Sequence, residues 1–330
     1  MAEIHFLNVG SGDCIIIKHA SGHITMMDIC QGNLEYDDDE AALHVGPLRG
    51  PLEDMEKHPT NPLDYLAAVF PNERLFRFVL SHPDMDHLDG FDALMDRMPP
   101  INFWDSGVRR AKPDFSGFGR YREEDWDRYE AIISGRNKDV KVITPQAGSR
   151  FQYANRNENN ESGGDGLYVL APTADLVQEA NSSGDFNDAS YVLHYRSVGG
   201  PIVLPGDAHD ASWEYVLDSA GTSLQKTSVL IAPHHGRRSD RVCDFFDVLS
   251  PQLTLFGCAP EKDMMYDECI RRELPYLTNN DAGNIVLEAV DGTINVFVQN
   301  IALAEKLKAD TSLTNRQGYY LVAELADLSR

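Results

Sequence analysis

No stretch of this 330-residue chain is apolar for long enough to span a bilayer, so no membrane contact is expected. The opening Met1-Ala2-Glu3-Ile4-His5-Phe6 lacks a basic segment followed by an apolar run, and no signal peptide is expected. Cysteine is sparse. Cys14, Cys30, Cys243, Cys258 and Cys269 are scattered, with no Cys-x-x-Cys pair. The odd count and wide spacing point to reduced thiols in a cytoplasmic protein. Basic residues are also few: 29 Lys and Arg stand against 52 Asp and Glu, for a formal charge of −23. Such acidity repels phosphate backbones at long range. It weakens any nucleic-acid reading unless metals or a local basic patch compensate. No internal repeat is evident. Hydrophobic content is ordinary at 42%, enough for one large domain or two small ones.

What is present is concentrated in Ser81-His82-Pro83-Asp84-Met85-Asp86-His87-Leu88-Asp89-Gly90, two histidines and three carboxylates in ten residues. The apolar run Leu75-Phe76-Arg77-Phe78-Val79-Leu80 before it reads as a buried strand. Leu88, Phe91, Leu94, Met95 and Met98 after it fit one face of a helix. The cluster therefore sits on a strand-to-helix loop, where side chains can converge. A solvated acidic turn with Asp89 as N-cap explains any one of these residues. The whole constellation points to a divalent metal, because imidazole and carboxylate together suit zinc or manganese.

The rest of the chain reads as short strands with tight turns. Strands at 4–9, 14–18 and 24–29 predict a meander at a sheet edge. Residues 33–64 read as an acidic insertion carrying Glu35, Asp37, Asp38, Asp39 and Glu40, with short helices near 64–70. Residues 105–139 form a second insertion, in which Arg109, Arg110, Phe115, Phe118, Arg120, Tyr121, Arg122, Trp126, Arg128 and Tyr129 mingle with acids. A basic-aromatic lid over phosphates is one reading. An ordinary packed insertion with amphipathic arginines is favoured, because the charges alternate. Residues 155–166 read as a mobile loop. Asn187-Asp188-Ala189-Ser190 leads into an apolar strand, Ile202-Val203-Leu204-Pro205 ends in Gly206-Asp207, and Val229-Leu230-Ile231-Ala232 ends in Pro233-His234-His235-Gly236. Residues 281–287 and 292–298 form a terminal hairpin, and 299–330 a C-terminal appendage of helix then strand.

Taken in order, these elements resemble the metallo-β-lactamase-like hydrolase superfamily. Its common loop is His-x-His-x-Asp-His. Here Asp84 takes the place of the second histidine, a variant similar to the hydrolase domain of the competence protein ComEC. The resemblance covers roughly residues 4 to 298, and implies an α/β fold, a four-layered αβ/βα sandwich with metals at one edge between two sheets. It implies two divalent ions, zinc or manganese. His82, Asp84 and Asp207 would surround one, and Asp86, His87, Asp207 and one of His234 or His235 the other. Asp207 would bridge, and Asp28 would support the loop from behind a ligating histidine. Many relatives carry a further histidine where this chain has Asn187 and Asp188. Either residue, or a water, fills that gap. Asp86, His235 and His209 are the candidate catalytic residues, with His209 and the non-ligating member of the 234–235 pair as proton donors. The implied activity is a phosphodiesterase or nuclease, with a phosphodiester substrate such as single-stranded nucleic acid. The alternatives are a hydrolase of a small cyclic nucleotide, phosphocholine ester, lactone or thioester, and a non-catalytic module stabilised by metal.

Overall fold

Along the strand at 15–18, Ile15 and Ile17 belong to one apolar core and Ile16 to another. At 78–80, Val79 joins the first core while Phe78 and Leu80 join the second. A strand with apolar side chains on both faces must be covered on both. That requirement produces the layers seen in the computed structural model, which describes residues 1–36, 44–117, 119–239, 241–259 and 261–329. Of the acidic cluster, Asp37, Asp38, Asp39 and Glu40 lie outside the described residues, as does Phe118.

The chain opens with β1 (Ala2–Phe6), β2 (Ile15–Lys18) and β3 (Ile24–Met27). Next come α1 (Pro62–Val69), β4 (Leu75–Leu80), α2 (Phe91–Arg97), β5 (Asn102–Asp105), α3 (Glu123–Ile133) and β6 (Lys141–Ile143). The second half begins with β7 (Leu167–Ala171), α4 (Ala174–Ser183), β8 (Val192–Ser197), β9 (Gly200–Leu204), α5 (Asp210–Leu224) and β10 (Val229–Ile231). It continues through α6 (Phe245–Leu249), β11 (Leu253–Phe256), α7 (Tyr266–Arg271), β12 (Tyr276–Thr278) and α8 (Asn279–Ala282). Last are β13 (Ile285–Val290), β14 (Thr293–Val298), α9 (Ile301–Lys306) and β15 (Tyr320–Ala326).

Among the described residues the strands form two sheets. One has nine strands in the order β15-β14-β13-β1-β2-β3-β4-β5-β6, the other six in the order β12-β11-β10-β9-β8-β7. Their facing sides share a core that includes Ile4, Phe6, Val79, Trp104, Leu193, Leu204 and Ile231. Leu63, Phe91, Leu94, Trp126 and Tyr129 of α1, α2 and α3 cover the outer face of the larger sheet. Trp213, Val216, Phe245 and Phe246 of α5 and α6 cover that of the smaller. The result is the expected αβ/βα sandwich.

Several details differ from expectation. The opening meander sits at the centre of its sheet, because β13 pairs antiparallel with β1 and extends the sheet beyond it. β3 stops at Met27, since Asp28 turns to φ 59°. Residues 174–183 form α4, a helix absent from the sequence reading. Thr173 caps it, accepting from Leu176 N at 3.1 Å. The C-terminal segment does run helix then strand as read from the sequence, α9 then β15, and β15 pairs with β14. Polar loop 155–166 is tied down near its end by Asp165. That buried carboxylate accepts from Ser21 Oγ at 2.7 Å and from Arg77 Nη2 at 3.1 Å. Arg77, also buried, donates to Thr25 Oγ1 at 2.8 Å and lies 4.8 Å from the Trp104 ring centre.

Candidate metal centre

β3 and β4 run parallel, as do β9 and β10. Parallel strands deliver their C-terminal ends to one edge. The residues that follow those ends are Asp28, 81–90, 205–209 and 232–236, so all four segments meet there. Tyr191 N donates to Ser81 O at 3.1 Å, which ties the loops of the two sheets together, and His234 N donates to Gly206 O at 3.0 Å, which joins two loops of the smaller sheet. Gly206 permits the approach. A Cβ at that position would lie 2.7 Å from Ser81 Cβ.

Asp207 is the centre of the arrangement. His87 Nε2 is 3.4 Å from its Oδ1. His82 Nε2, His234 Nε2 and His235 Nε2 are 3.9, 3.6 and 3.6 Å from its Oδ2. Asp86 Oδ2 is 3.3 Å from His235 Nε2, and Asp84 Oδ1 is 3.8 Å from His82 Nε2. The Nε2 atoms of His82, His87 and His235 and Oδ1 of Asp207 are buried, and none has a hydrogen-bond partner among the described residues. Leaving so many polar atoms unsatisfied at one point is costly unless something binds them all. Three overlapping ligand groups emerge among the described residues, His82-His87-Asp207, Asp86-His87-His235 and Asp13-Asp207-His235. The donor set, imidazole and carboxylate, suits zinc or manganese.

The field at this point favours a cation. Burial opposes charge on His87, yet Asp207, Asp28 and Asp86 outweigh it and hold its pKa well above the ordinary range. Burial opposes charge on His235 too, and Asp13 and Asp207 overcome it. Burial should raise Asp207, but His235, His87 and His82 hold it well below the usual carboxylate range. His234 behaves differently: burial pushes it down to about 3, with Asp207 opposing.

The structure brings His82, Asp84, Asp86, His87, Asp207, His234 and His235 together. Asp28 stands behind the loop, its Oδ2 2.9 Å from His87 Nδ1 and its Oδ1 accepting from Ser81 N at 2.7 Å. Asp188 faces elsewhere: its Oδ1 accepts from Ala211 N and Ser212 N at the start of α5. Asn187 Nδ2 lies 3.3 Å from His209 Nε2, so His209 sits at the rim, 3.4 Å from His234 Nδ1. Asp188 enters no ligand group among the described residues, and Asn187 is engaged with His209. The sequence assigned no role to Asp13 or Arg241, and placed Arg110 only in the insertion at 105–139. Asp13 Oδ1 lies 3.1 Å from His235 Nδ1. Its signal was the Gly-Ser-Gly-Asp turn just before a buried strand. Arg110 pairs with Asp84, and Arg241 lies against His234. Three other lid cations also meet acids, Arg109 with Asp105, Arg120 with Asp89 and Arg128 with Asp92, while Trp126 and Tyr129 are buried. That is the packed insertion the alternating charges favoured.

No protein-family model matches the sequence, and no curated protein matches it. Solved structures are similar in chain trace. Igni18, a metallo hydrolase from the hyperthermophilic archaeon Ignicoccus hospitalis, is 11% identical over 87% of this chain and 99% of its own, with a TM-score of 0.45. Tm1679, a metal-dependent hydrolase of the β-lactamase superfamily, is 14% identical over 88% and 100%, with a TM-score of 0.45. A diphosphatase from the PhnP family is 11% identical over 87% and 97%, with a TM-score of 0.40. Likenesses this weak carry nothing about metal or substrate, for which the side chains around Asp207 are the guide. Among the described residues no helix is long and apolar enough to cross a membrane.

Proposed function

We propose that the chain is a hydrolase that uses two divalent metal ions, zinc or manganese, and acts on phosphodiesters. The convergence of buried, unpartnered Nε2 atoms of His82, His87 and His235 on Asp207 carries this reading. Asp86, His87 and His235 would hold one ion, His82 and Asp84 the other, and Asp207 would be shared. When bound, such a pair activates water and neutralises charge on a phosphoryl group. Asp28 accepts from His87 Nδ1 and fixes that ring, and Asp13 places a carboxylate 3.1 Å from His235 Nδ1. Arg110, paired with Asp84 and 5.5 Å from the Phe186 ring centre, supplies positive charge at the mouth. The pattern His-x-Asp-x-Asp-His, Gly-Asp and Pro-His-His-Gly, similar to the ComEC-like branch, also supports a phosphodiester. The charge of −23 favours short or single-stranded diesters over long duplexes.

The test is metal content and turnover of a chromogenic phosphodiester with zinc, manganese or magnesium. About two transition-metal ions per chain are expected. Asp207→Asn should lose metal and turnover together. A chain that binds no zinc or manganese defeats the metal centre, while turnover of lactones or β-lactams alone defeats the substrate class.

A further inference from the structure

The imidazoles around Asp207 are not backed alike. Behind His87 Nδ1 stands Asp28 Oδ2 at 2.9 Å, and behind His235 Nδ1 stands Asp13 Oδ1 at 3.1 Å. An ionised carboxylate only accepts. Asp28 thus keeps the proton of His87 on Nδ1 and leaves its Nε2 lone pair for a cation, while Asp13 meets His235 as a close ion pair outside hydrogen-bond geometry. His234 is backed by the opposite chemistry. Its Nδ1 lies 3.3 Å from Arg241 Nη2, 2.8 Å from Ser239 Oγ and 3.4 Å from His209 Nε2. A guanidinium only donates, and it is not deprotonated in proteins. His234 Nδ1 therefore accepts, and the proton of the neutral ring sits on Nε2. That is the atom facing Asp207 Oδ2 at 3.6 Å.

Arg241 is built into the fold. It is 7% exposed, and its Nε and Nη1 are buried with no hydrogen-bond partner among the described residues. Its charge behind the ring also makes Nε2 a poorer electron-pair donor to a metal. The backbone holds the arrangement: His234 and His235 both take the left-handed conformation, at φ 54° and 58°. Such conformations persist only where the surroundings enforce them. His209 does not alter the outcome. Its Nε2 accepts from Asn187 Nδ2 at 3.3 Å and makes the longest contact with His234 Nδ1, while the Ser239 hydroxyl can turn its proton to the same lone pair that Arg241 addresses.

We infer that His234 is not a metal ligand but a hydrogen-bond donor to the substrate, locked by Arg241 in the Nε2–H tautomer and presenting that N–H to a phosphoryl oxygen. This rests on the proposed metal centre and names the group that reads its substrate. It also divides the adjacent histidines: His235 ligates, His234 donates.

The experiment uses the full chain with 15N-labelled histidine, with and without zinc chloride. His234 should show a protonated Nε2 in both states. With zinc bound, His87 should carry its proton on Nδ1, and the Nε2 signals of both His87 and His235 should shift from their zinc-free positions. In parallel, dialysis against zinc should leave His234→Ala with the wild-type stoichiometry, while His235→Ala loses zinc. On bis(4-nitrophenyl) phosphate, His234→Ala should lose roughly 10²–10³-fold in kcat. Arg241→Met should release the tautomer with zinc retained, and Arg241→Lys, which still donates, should restore it in part. A proton on His234 Nδ1, or zinc lost from His234→Ala as from His235→Ala, overturns the inference. A wild-type chain that takes up no zinc overturns the metal centre instead, and the tautomer read without zinc still decides the hydrogen-bond assignment.

Discussion

An imidazole binds metal as well as the group behind it allows, and Asp13 illustrates this. It lies outside the 81–90 loop, yet it stands 3.1 Å from His235 Nδ1 and shares a ligand group with Asp207 and His235. Asp13→Ala should weaken zinc binding roughly 10–100-fold, with turnover recovering at high zinc. Competition with a chromogenic chelator measures this, and an unchanged affinity would remove Asp13 from the site. The residue scale also shows what the sequence made legible. His82, Asp84, Asp86 and His87 stood out because they are contiguous, and contiguous ligands announce themselves. Asp207 and the histidine pair were legible from strand ends bearing Gly-Asp and Pro-His-His-Gly. Asp13 and Arg241 were not, because only the folded chain places each behind its histidine. The choice between His234 and His235 turns on hydrogen-bond partners, which no local pattern encodes.

At the scale of elements, alternation of apolar residues located most strands. It could not place the opening meander, because the pairing of β1 with β13 joins opposite ends of the chain. It missed α4, whose buried face is only Leu176, Val177 and Ala180. Two junctions between elements yield predictions. Gly206→Ala puts a Cβ against Ser81 at φ 51°, where an L residue is strained. A loss of about 1–3 kcal/mol is expected in denaturant melts, with metal lost as Asp207 shifts. A variant as stable and as metal-loaded as wild type would show that the two loops do not need this approach. The second junction is the buried Arg77–Asp165 pair between β4 and the polar loop. Burial should raise the Asp165 pKa, but His19 and Arg77 outweigh it and hold it below the usual value. A lowered folded pKa gives stability that is fully present above the unfolded value, about 3.9, and is lost as pH falls through the folded one. Asp165→Asn should lose about 3–5 kcal/mol at neutral pH, since it strands a buried guanidinium. Its deficit should narrow as pH drops below about 4. Urea melts from neutral pH to acid read both, and a constant gap would mean that the ion pair is not what stabilises.

For the whole molecule the dominant quantity is charge. An excess of acids leaves −23 spread over the surface, and the lid arginines are largely paired with acids rather than free to attract phosphate. A polyanion approaching this protein therefore meets repulsion until it is close enough to feel the centre. Repulsion acts through solvent, where the Debye length shrinks from about 30 Å at 0.01 M salt to about 8 Å at 0.15 M. Salt should relieve it. A nuclease with a basic groove does the reverse, since its affinity comes from released counterions and falls as salt rises. For this chain, kcat/KM on a single-stranded oligonucleotide should rise between roughly 10 and 150 mM salt. Over the same range, turnover of bis(4-nitrophenyl) phosphate, with one charge, should change little. The comparison separates long-range capture from events at the metals, because only the polymer samples the wider field. A rate on the oligonucleotide that falls steeply with salt would mean that a local basic track, not the net charge, governs encounter with the substrate.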